Sequence, residues 1–99
     1  MPLCYANPTF AQEFMPQGLT AHAAVRAPAV LFNRKDSLHD EFLQRRFGFS
    51  IDHYAKHYLP SPVALLLEGI ANGLGYGLIP SQQAAPLAAQ GRLVELAAD

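Results

Sequence analysis

Residues 61–80 decide how this chain folds, and they read Ser-Pro-Val-Ala-Leu-Leu-Leu-Glu-Gly-Ile-Ala-Asn-Gly-Leu-Gly-Tyr-Gly-Leu-Ile-Pro. Ser61 followed by Pro62 is a strong helix start, because serine caps free amides and proline is favoured at the first helical position. The helix is predicted to run to Asn72-Gly73, a pair suited to a left-handed stop. A short strand over 75–79 then follows and is closed by Pro80. A helix followed directly by a buried strand is the repeating unit of an α/β sheet.

The same alternation continues on both sides of this stretch. Strands are predicted at 3–6, 29–32, 53–59 and 93–96, and further helices at 9–15, 20–26, 38–47 and 81–90. Thr9 is expected near the cap of the first helix, and Ser37 and Gly48 are expected to bound the clearest one. Strands that alternate with helices predict a largely parallel, five-stranded sheet with helices on both faces. We therefore expect a three-layer α/β lobe.

Length and composition limit the functions open to this unit. The chain has 99 residues, 51% of them hydrophobic and 15% charged, which suits one domain with a real core. A formal net charge of −1 argues against DNA binding by this segment alone, since phosphate neutralisation needs a cationic surface. Cys4 is the single cysteine, so no internal disulfide is expected. Neither a signal peptide nor a membrane-spanning run is recognised, and a cytoplasmic location is expected.

Two features resemble metal or nucleotide sites, and both have simpler explanations. His53 and His57 lie four residues apart, but no cysteine or third histidine is close in sequence, so we predict no metal. The glycine-rich stretch 69–77 follows a helix and precedes a strand, which is the reverse of a dinucleotide-binding loop. It is predicted to be a helix cap and a turn that packs closely on the sheet. No cofactor is expected.

Nucleophilic catalysis has little support in the sequence. Cys4 lies in the first predicted strand without a basic neighbour and is expected to be a buried, inert thiol. Ser61 and Ser81 each precede a helix, where capping explains them, and no Gly-x-Ser-x-Gly turn is present. An enzyme would need a base beside a nucleophile, for example His39 or His53 next to Ser61. We predict no enzymatic activity.

The remaining candidate is a binding site at the carboxyl ends of the strands, where ligands of α/β sheets meet helix N-termini. Ser61 offers a hydroxyl, and the amides of Val63 and Ala64 lie free in the first helical turn, which suits a carboxylate. Asp36, beyond the strand at 29–32, suits an amine or a guanidinium. Together they predict an amphoteric ligand such as a basic amino acid. The alternative, that Ser61 and Asp36 only cap helices, stays open.

Three segments carry a family likeness. They are Ala27–Leu43, which contains Phe32-Asn33-x-x-Asp36-x-Leu38-His39, then Tyr58-Leu59-Pro60-Ser61, and then Gly73-Leu74-Gly75-Tyr76-Gly77-Leu78-Ile79-Pro80. These segments resemble the effector-binding domain of LysR-type transcriptional regulators. The first segment, with the opening Ala6-Asn7-Pro8-x-Phe10-Ala11, is most similar to the branch that senses arginine and lysine. The likeness covers nearly the whole chain, and it implies the fold of type 2 periplasmic binding proteins.

The resemblance implies that residues 1–99 form the second lobe of a two-lobed effector domain. A DNA-binding helix-turn-helix and a first lobe would then lie outside this chain, and the complete protein would be a homo-oligomer. Matched by position, Phe32, Asn33 and Asp36 would line the cleft beyond one strand. Ser61 and Pro62 would lie at the helix N-terminus and face the effector, and Pro80 would lie beside the return path. Pro62 departs from the serine pair often found in this branch, and it removes a hydroxyl and an amide donor.

The sequence therefore predicts the ligand-sensing lobe of a bacterial LysR-type regulator. A small effector, lysine or arginine, is expected to close two lobes on each other and change how the oligomer grips DNA. DNA would be contacted only through the N-terminal domain, and no membrane partner is expected. The alternative is a fragment of a periplasmic-type solute-binding protein, which a signal peptide on the full gene product would support.

Overall fold

The computed structural model describes residues 2–31, 38–48, 55–59 and 63–96. The strands are β1 (Pro2–Ala6), β2 (Ala29–Leu31), β3 (Lys56–Tyr58), β4 (Gly77–Pro80) and β5 (Val94–Glu95). The helices are α1 (Pro8–Phe14), α2 (Ala21–Arg26), α3 (Leu38–Phe47), α4 (Val63–Ala71) and α5 (Ser81–Ala89). Among the helices in these ranges, none has the length and apolar character needed to cross a bilayer.

The predicted order of elements is confirmed, and most strands are shorter than predicted. β2 ends at Leu31, and the predicted extension into Phe32 falls outside the described residues, as do the strand start at His53 and the cap at Ser37. Thr20 caps α2 as the sequence indicates, because its Oγ1 accepts a 3.1 Å hydrogen bond from the amide of Ala23, the third residue of the helix. α3 ends before Gly48, whose φ of +79° lies in the left-handed region that favours glycine.

Two sets of paired strands make up the sheet. β1 lies between β4 and β5 and is antiparallel to both, with Leu3 opposite Ile79. β2 and β3 form a separate parallel pair. A parallel bridge between Ala29 and Tyr76 links the two sets just before β4 begins. Across the molecule the strands therefore follow one another in the order β3, β2, β4, β1, β5.

The sheet is mixed, so the prediction of a largely parallel five-stranded sheet is not confirmed. β4 and β5 are both antiparallel to β1, so they are parallel to each other, and β1 is inserted between two strands that α5 connects. Alternating strands and helices predict parallel neighbours only where strands that are close in sequence pair. β1 pairs with strands from the far end of the chain, and the sequence pattern carries no information on the direction of that pairing.

The sheet separates two apolar cores. One contains Cys4, Ala6, Phe10, Ala24, Leu31, Leu43 and Tyr76, and it is covered by the first three helices. The other contains Tyr5, Val30, Leu66, Ile70, Ile79, Ala84 and Leu93, and it is covered by the last two. We call these the α1–α3 face and the α4–α5 face. Successive residues of β1 enter opposite cores, as the two-residue period of a strand requires, so helices cover the sheet on both sides.

One side chain joins the two faces at the end of β1. Asn7 Oδ1 accepts hydrogen bonds from the amides of Thr9 (2.8 Å) and Phe10 (3.1 Å), and it thereby caps α1. The Asn7 Nδ2 group donates a 2.7 Å hydrogen bond to the carbonyl of Ala71, the last residue of α4. The sequence predicts the cap near Thr9, but the structure places it two residues earlier. Asn7 is the cap and Pro8 occupies the first helical position.

Candidate functional site

Three strands end at one edge of the sheet, and a helix follows each of them. β2, β3 and β4 run in the same direction, because β2 pairs in parallel with β3 and bridges in parallel to the start of β4. The next element along the chain is α3 after β2, α4 after β3 and α5 after β4. The first turn of each helix leaves amides without an intrahelical acceptor, together with the positive end of the helix dipole. We call this margin the strand-end edge.

The structure places two of the predicted binding residues at the strand-end edge. Val63 is the first residue of α4 and is half-buried, and Pro80 ends β4 and immediately precedes α5. The other five lie outside the described residues, namely Phe32, Asn33, Asp36, Ser61 and Pro62. The described part of the chain therefore brings Val63 and Pro80 to one edge, and their grouping with the other five stays a prediction.

The helix starts at this edge differ in charge. The first turns of α4 and α5 contain no acidic side chain, and Pro80 makes no side-chain cap hydrogen bond to α5. α3 instead begins with Asp40 and Glu41 in its first turn, where carboxylates offset the positive end of the dipole. An anion is therefore favoured at the start of α4 or α5, and a cation is favoured on the side of α3.

β1 begins at the same edge, and β5 points toward it. Pro2, the first residue of β1, pairs with Pro80, the last residue of β4. β5 runs against β1, and the amide of Leu96 donates a 2.8 Å hydrogen bond to the carbonyl of Cys4. β1 therefore starts at the strand-end edge, and β5 runs toward that edge.

Tyr76 is a buried polar residue that the sequence reasoning missed, and it touches three other elements. Its amide donates to the carbonyl of Pro28 at 3.1 Å, and its carbonyl accepts from the amide of Val30 at 2.8 Å. Its hydroxyl oxygen lies 3.2 Å from His39 Nε2 and 3.4 Å from the carbonyl oxygen of Ala24. Tyr76 is therefore linked to β2, to α3 and to α2.

The Ala24 carbonyl needs a donor of this kind. Within a helix it would accept from the residue four positions later, but that residue is Pro28, which has no N–H group. The Tyr76 hydroxyl donates to this carbonyl, so the contact between His39 Nε2 and the Tyr76 oxygen is a hydrogen bond in the tautomer that carries its hydrogen on Nε2. Burial, with smaller electrostatic contributions from Cys4 and Asp40, raises the pKa of Tyr76. The hydroxyl therefore stays a neutral donor.

Two glycines flanking Tyr76 are the sequence signal for this arrangement. A Cβ atom on Gly75 would lie 2.6 Å from the Pro28 carbonyl oxygen, and one on Gly77 would lie 2.7 Å from the Val30 carbonyl oxygen. Both glycines are therefore required by the close approach of β2. This confirms the close packing on the sheet that the sequence predicts for 69–77. The residue between two such glycines is held against β2 by its backbone.

Among the residues that the structure describes, the other reactive side chains do not form a second site. Cys4 is 1% exposed, and burial raises the pKa of its thiol to about 12, with a lowering effect of Arg46 and a raising effect of Glu95. It is a neutral buried thiol, as the sequence predicts. His57 is exposed on β3, and its proposed companion His53 lies outside the described residues. Where the structure is described, no three side chains of the metal-binding types cluster.

Comparison of sequences and comparison of structures both find transcriptional regulators as relatives of this chain. No family model matches the chain. It is 37% identical over 94 residues to the HTH-type transcriptional regulator ArgP of Aeromonas salmonicida, and 34% identical over 94 residues to that of Vibrio parahaemolyticus. Each match covers 95% of this chain and 31% of the relative, so the chain spans about a third of the length of these curated relatives.

Solved structures of the same kind superpose closely. ArgP from Mycobacterium tuberculosis matches 99% of this chain and 33% of its own, with a TM-score of 0.90 and 31% identity. Full-length LysG from Corynebacterium glutamicum with bound effector Arg matches 96% of this chain and 32% of its own, at a TM-score of 0.80 and 30% identity. The C-terminal domains of a LysR family protein from Agrobacterium tumefaciens match 97% of this chain and 48% of their own, with a TM-score of 0.80 and 36% identity. Across nearly all of its residues, this chain is therefore homologous to the LysR-type transcriptional regulators and shares the fold of their effector-binding domains.

Proposed function

We propose that this chain is one lobe, the second, of the effector-binding domain of a transcriptional regulator, and that it binds a basic amino acid, lysine or arginine. The observation that carries the proposal is the strand-end edge, where α4 and α5 begin without acidic side chains and α3 begins with two. In an amino acid with a cationic side chain, the carboxylate suits the start of α4 or α5 and the cationic group suits the start of α3. LysG, which is 30% identical to this chain, has been solved with bound effector Arg.

The carboxylate of the effector would bind at the start of α4. Ser61 would donate its hydroxyl, and the first amides of the helix, from Val63 and Ala64, would complete the anion site. Pro62 contributes no N–H group, so the serine and the following amides carry the binding. Pro80 would form the neighbouring wall without donating a hydrogen bond.

The cationic group would bind on the side of α3. Asp36 would pair with the ammonium or guanidinium group, and Asn33 and Phe32 would line the same side of the cleft. The acidic first turn of α3 adds to the negative potential there. No step in this scheme breaks a covalent bond, so the proposed role is sensing and not catalysis.

The first lobe, lying over the same edge, would complete the cleft. The chain matches 48% of the C-terminal domains from Agrobacterium, which is the share expected for one of two lobes. β1 starts at the strand-end edge and β5 runs toward it, so a partner lobe joined to both strands would stand over the effector. Ligand binding would favour the closed arrangement and so alter how a cytoplasmic homo-oligomer holds DNA through a separate N-terminal domain.

Calorimetry on the full-length protein with lysine and with arginine tests this proposal. Binding at micromolar to millimolar strength is expected, and Ser61→Ala and Asp36→Ala should each weaken it by about 1–3 kcal/mol. Thr9→Ala and Glu13→Ala, both exposed on α1, are matched controls that should leave the affinity unchanged. Absence of heat with both amino acids would refute the effector assignment. Unchanged affinity in both site variants would leave Ser61 and Asp36 with a capping role only.

A further inference from the structure

Tyr76 holds β2 through its backbone. Two hydrogen bonds, one to the carbonyl of Pro28 and one from the amide of Val30, enclose the Ala29–Tyr76 bridge. Gly75 and Gly77 allow the two backbones to approach this closely, because a Cβ atom would collide with the carbonyl oxygen of Pro28, just before β2, or with that of Val30 within it. The position of Tyr76 is therefore tied to β2, which ends at Leu31.

The side chain of the same residue holds α3. Its hydroxyl oxygen lies 3.2 Å from Nε2 of His39, the second residue of that helix, and the two ring centres are 5.0 Å apart. His39 is 2% exposed and Tyr76 is fully buried. A polar contact in such surroundings is directional and costly to break without replacement, so it restricts how α3 can move relative to β2.

These contacts join the two elements that come directly before and after residues 32–37. β2 precedes those residues and α3 follows them, and each is fixed to Tyr76. We propose that Tyr76 and His39 are a positioning pair, which sets the placement of the start of α3 relative to the end of β2 and thereby the affinity of the strand-end edge for its effector. This inference rests on the proposed function and adds two residues that do not touch the ligand.

The far end of α3 has its own attachment. Arg46 Nε lies 3.4 Å from the carbonyl oxygen of Leu19, in the connection between α1 and α2. Loss of the Tyr76 hydroxyl is therefore expected to loosen the first turn of α3 while the last turn stays in place. The change should be local, which separates it from a general loss of stability.

Tyr76→Phe is the test variant, because it removes one hydroxyl and keeps the ring and both backbone hydrogen bonds. Tyr5→Phe is the matched control: it removes the same group from a buried ring on the neighbouring strand, in the core of the opposite face. On the full-length protein, calorimetry with L-arginine and with L-lysine should show Kd raised about three- to tenfold in Tyr76→Phe and unchanged in Tyr5→Phe. His39→Leu should match Tyr76→Phe, and the double variant should be no worse than either. His39→Gln, which retains an N–H donor, should recover part of the affinity.

Amide hydrogen exchange supplies a readout that does not depend on the ligand. In Tyr76→Phe the amides of 38–43 should exchange faster, while those of 63–71 on the opposite face keep the wild-type rate. A lower melting temperature with unchanged Kd would mean that the pair serves stability alone and would overturn the inference.

If the wild-type protein binds neither amino acid, the effector assignment fails on its own, and unchanged exchange at 38–43 would still overturn the positioning pair. If Tyr76→Phe does not fold, the comparison of His39→Leu with His39→Gln carries the same test.

Discussion

The two faces of the sheet are held by different kinds of contact. The α4–α5 face buries an almost wholly aliphatic set, which includes Leu66, Ile70 and Ile79. The α1–α3 face buries an imidazole, a phenol hydroxyl and a thiol among its apolar side chains. Apolar contact is non-directional, so it stabilises a helix without fixing its exact rotation, whereas buried hydrogen bonds favour one placement. The comparison indicates that one face supplies stability and the other also fixes geometry.

The largest effects are expected from truncating one buried aliphatic residue on each face. Ile70→Ala and Leu43→Ala each empty a site that is 0% exposed, and each should lower the free energy of unfolding by about 2–5 kcal/mol. Leu43→Ala should also lower ligand affinity, since Leu43 lies one turn after His39 on α3, whereas Ile70→Ala should not. Urea denaturation and calorimetry check this, with exposed Leu65→Ala as the control. Equal ligand affinity in the two core variants would contradict the distinction between the faces.

Asn7, which contacts helices on both faces, comes next. Asn7→Ala removes the cap of α1 and leaves the carbonyl of Ala71 without its donor, and it should cost about 1–2 kcal/mol. Asn7→Ser keeps a capping oxygen but cannot reach across to α4, so part of the loss should remain. Thr20→Ala, which removes only the cap of α2, is the matched control. If Asn7→Ser is as stable as the wild type in thermal denaturation, the bond to Ala71 contributes nothing.

The Cys4 thiol gives the α1–α3 face a pH dependence of its own. Burial raises its pKa from 9.0 to about 12, so between these pH values the thiol stays neutral in the folded protein and is ionised in the unfolded chain. Stability from this group is complete below pH 9 and falls as the pH rises toward 12, by up to about 1.4 kcal/mol per unit. Unfolding measured at pH 8 and pH 10 should show the loss in the wild type and a smaller one in Cys4→Ala. Identical pH profiles would rule out this origin.

The smallest effect is expected at an ion pair on the surface of the α4–α5 face. Arg92 lies 2.8 Å from Glu68 and 3.4 Å from Asn72 Oδ1, and the paired side chains are 37% and 52% exposed. Exposed pairs of this kind contribute about 0.2–1 kcal/mol, so Arg92→Ala should shift the urea midpoint only slightly, and added salt should reduce the difference further. A loss as large as that of Ile70→Ala would mean that polar contacts dominate this face too.

The sequence predicted element order well and pairing direction poorly. Apolar runs bounded by Pro, Gly and capping residues are local signals, and they located each of the ten elements found among the described residues. The antiparallel insertion of β1 depends on contacts with the far end of the chain, for which no local signal exists. At the candidate site, the places of Val63 at a helix start and Pro80 at a strand end were predictable because both are local features, and their role in binding stays a prediction.

The residues that were missed needed a three-dimensional reason. Tyr76 has the pattern of an ordinary strand residue, and only the close approach of β2 to its flanking glycines distinguishes it. The carbonyl of Ala24 needs a hydrogen-bond donor because Pro28, four residues later, has no N–H group. Asn7 was missed as a cap because the first helix was predicted to begin near Thr9, although asparagine directly before proline is also a helix-start signature. The contact of His39 with Tyr76 has no local signal, since the two residues lie 37 positions apart in sequence.

The cap at Asn7 has a consequence for the ageing of the protein. Side-chain amides of asparagine are lost over time when the following backbone nitrogen attacks them, and the resulting aspartate could no longer donate to the carbonyl of Ala71. The residue that follows Asn7 is Pro8, whose nitrogen carries no hydrogen and is a poor nucleophile for that ring closure. The amide that joins the two faces is thus placed where spontaneous deamidation by this route is blocked.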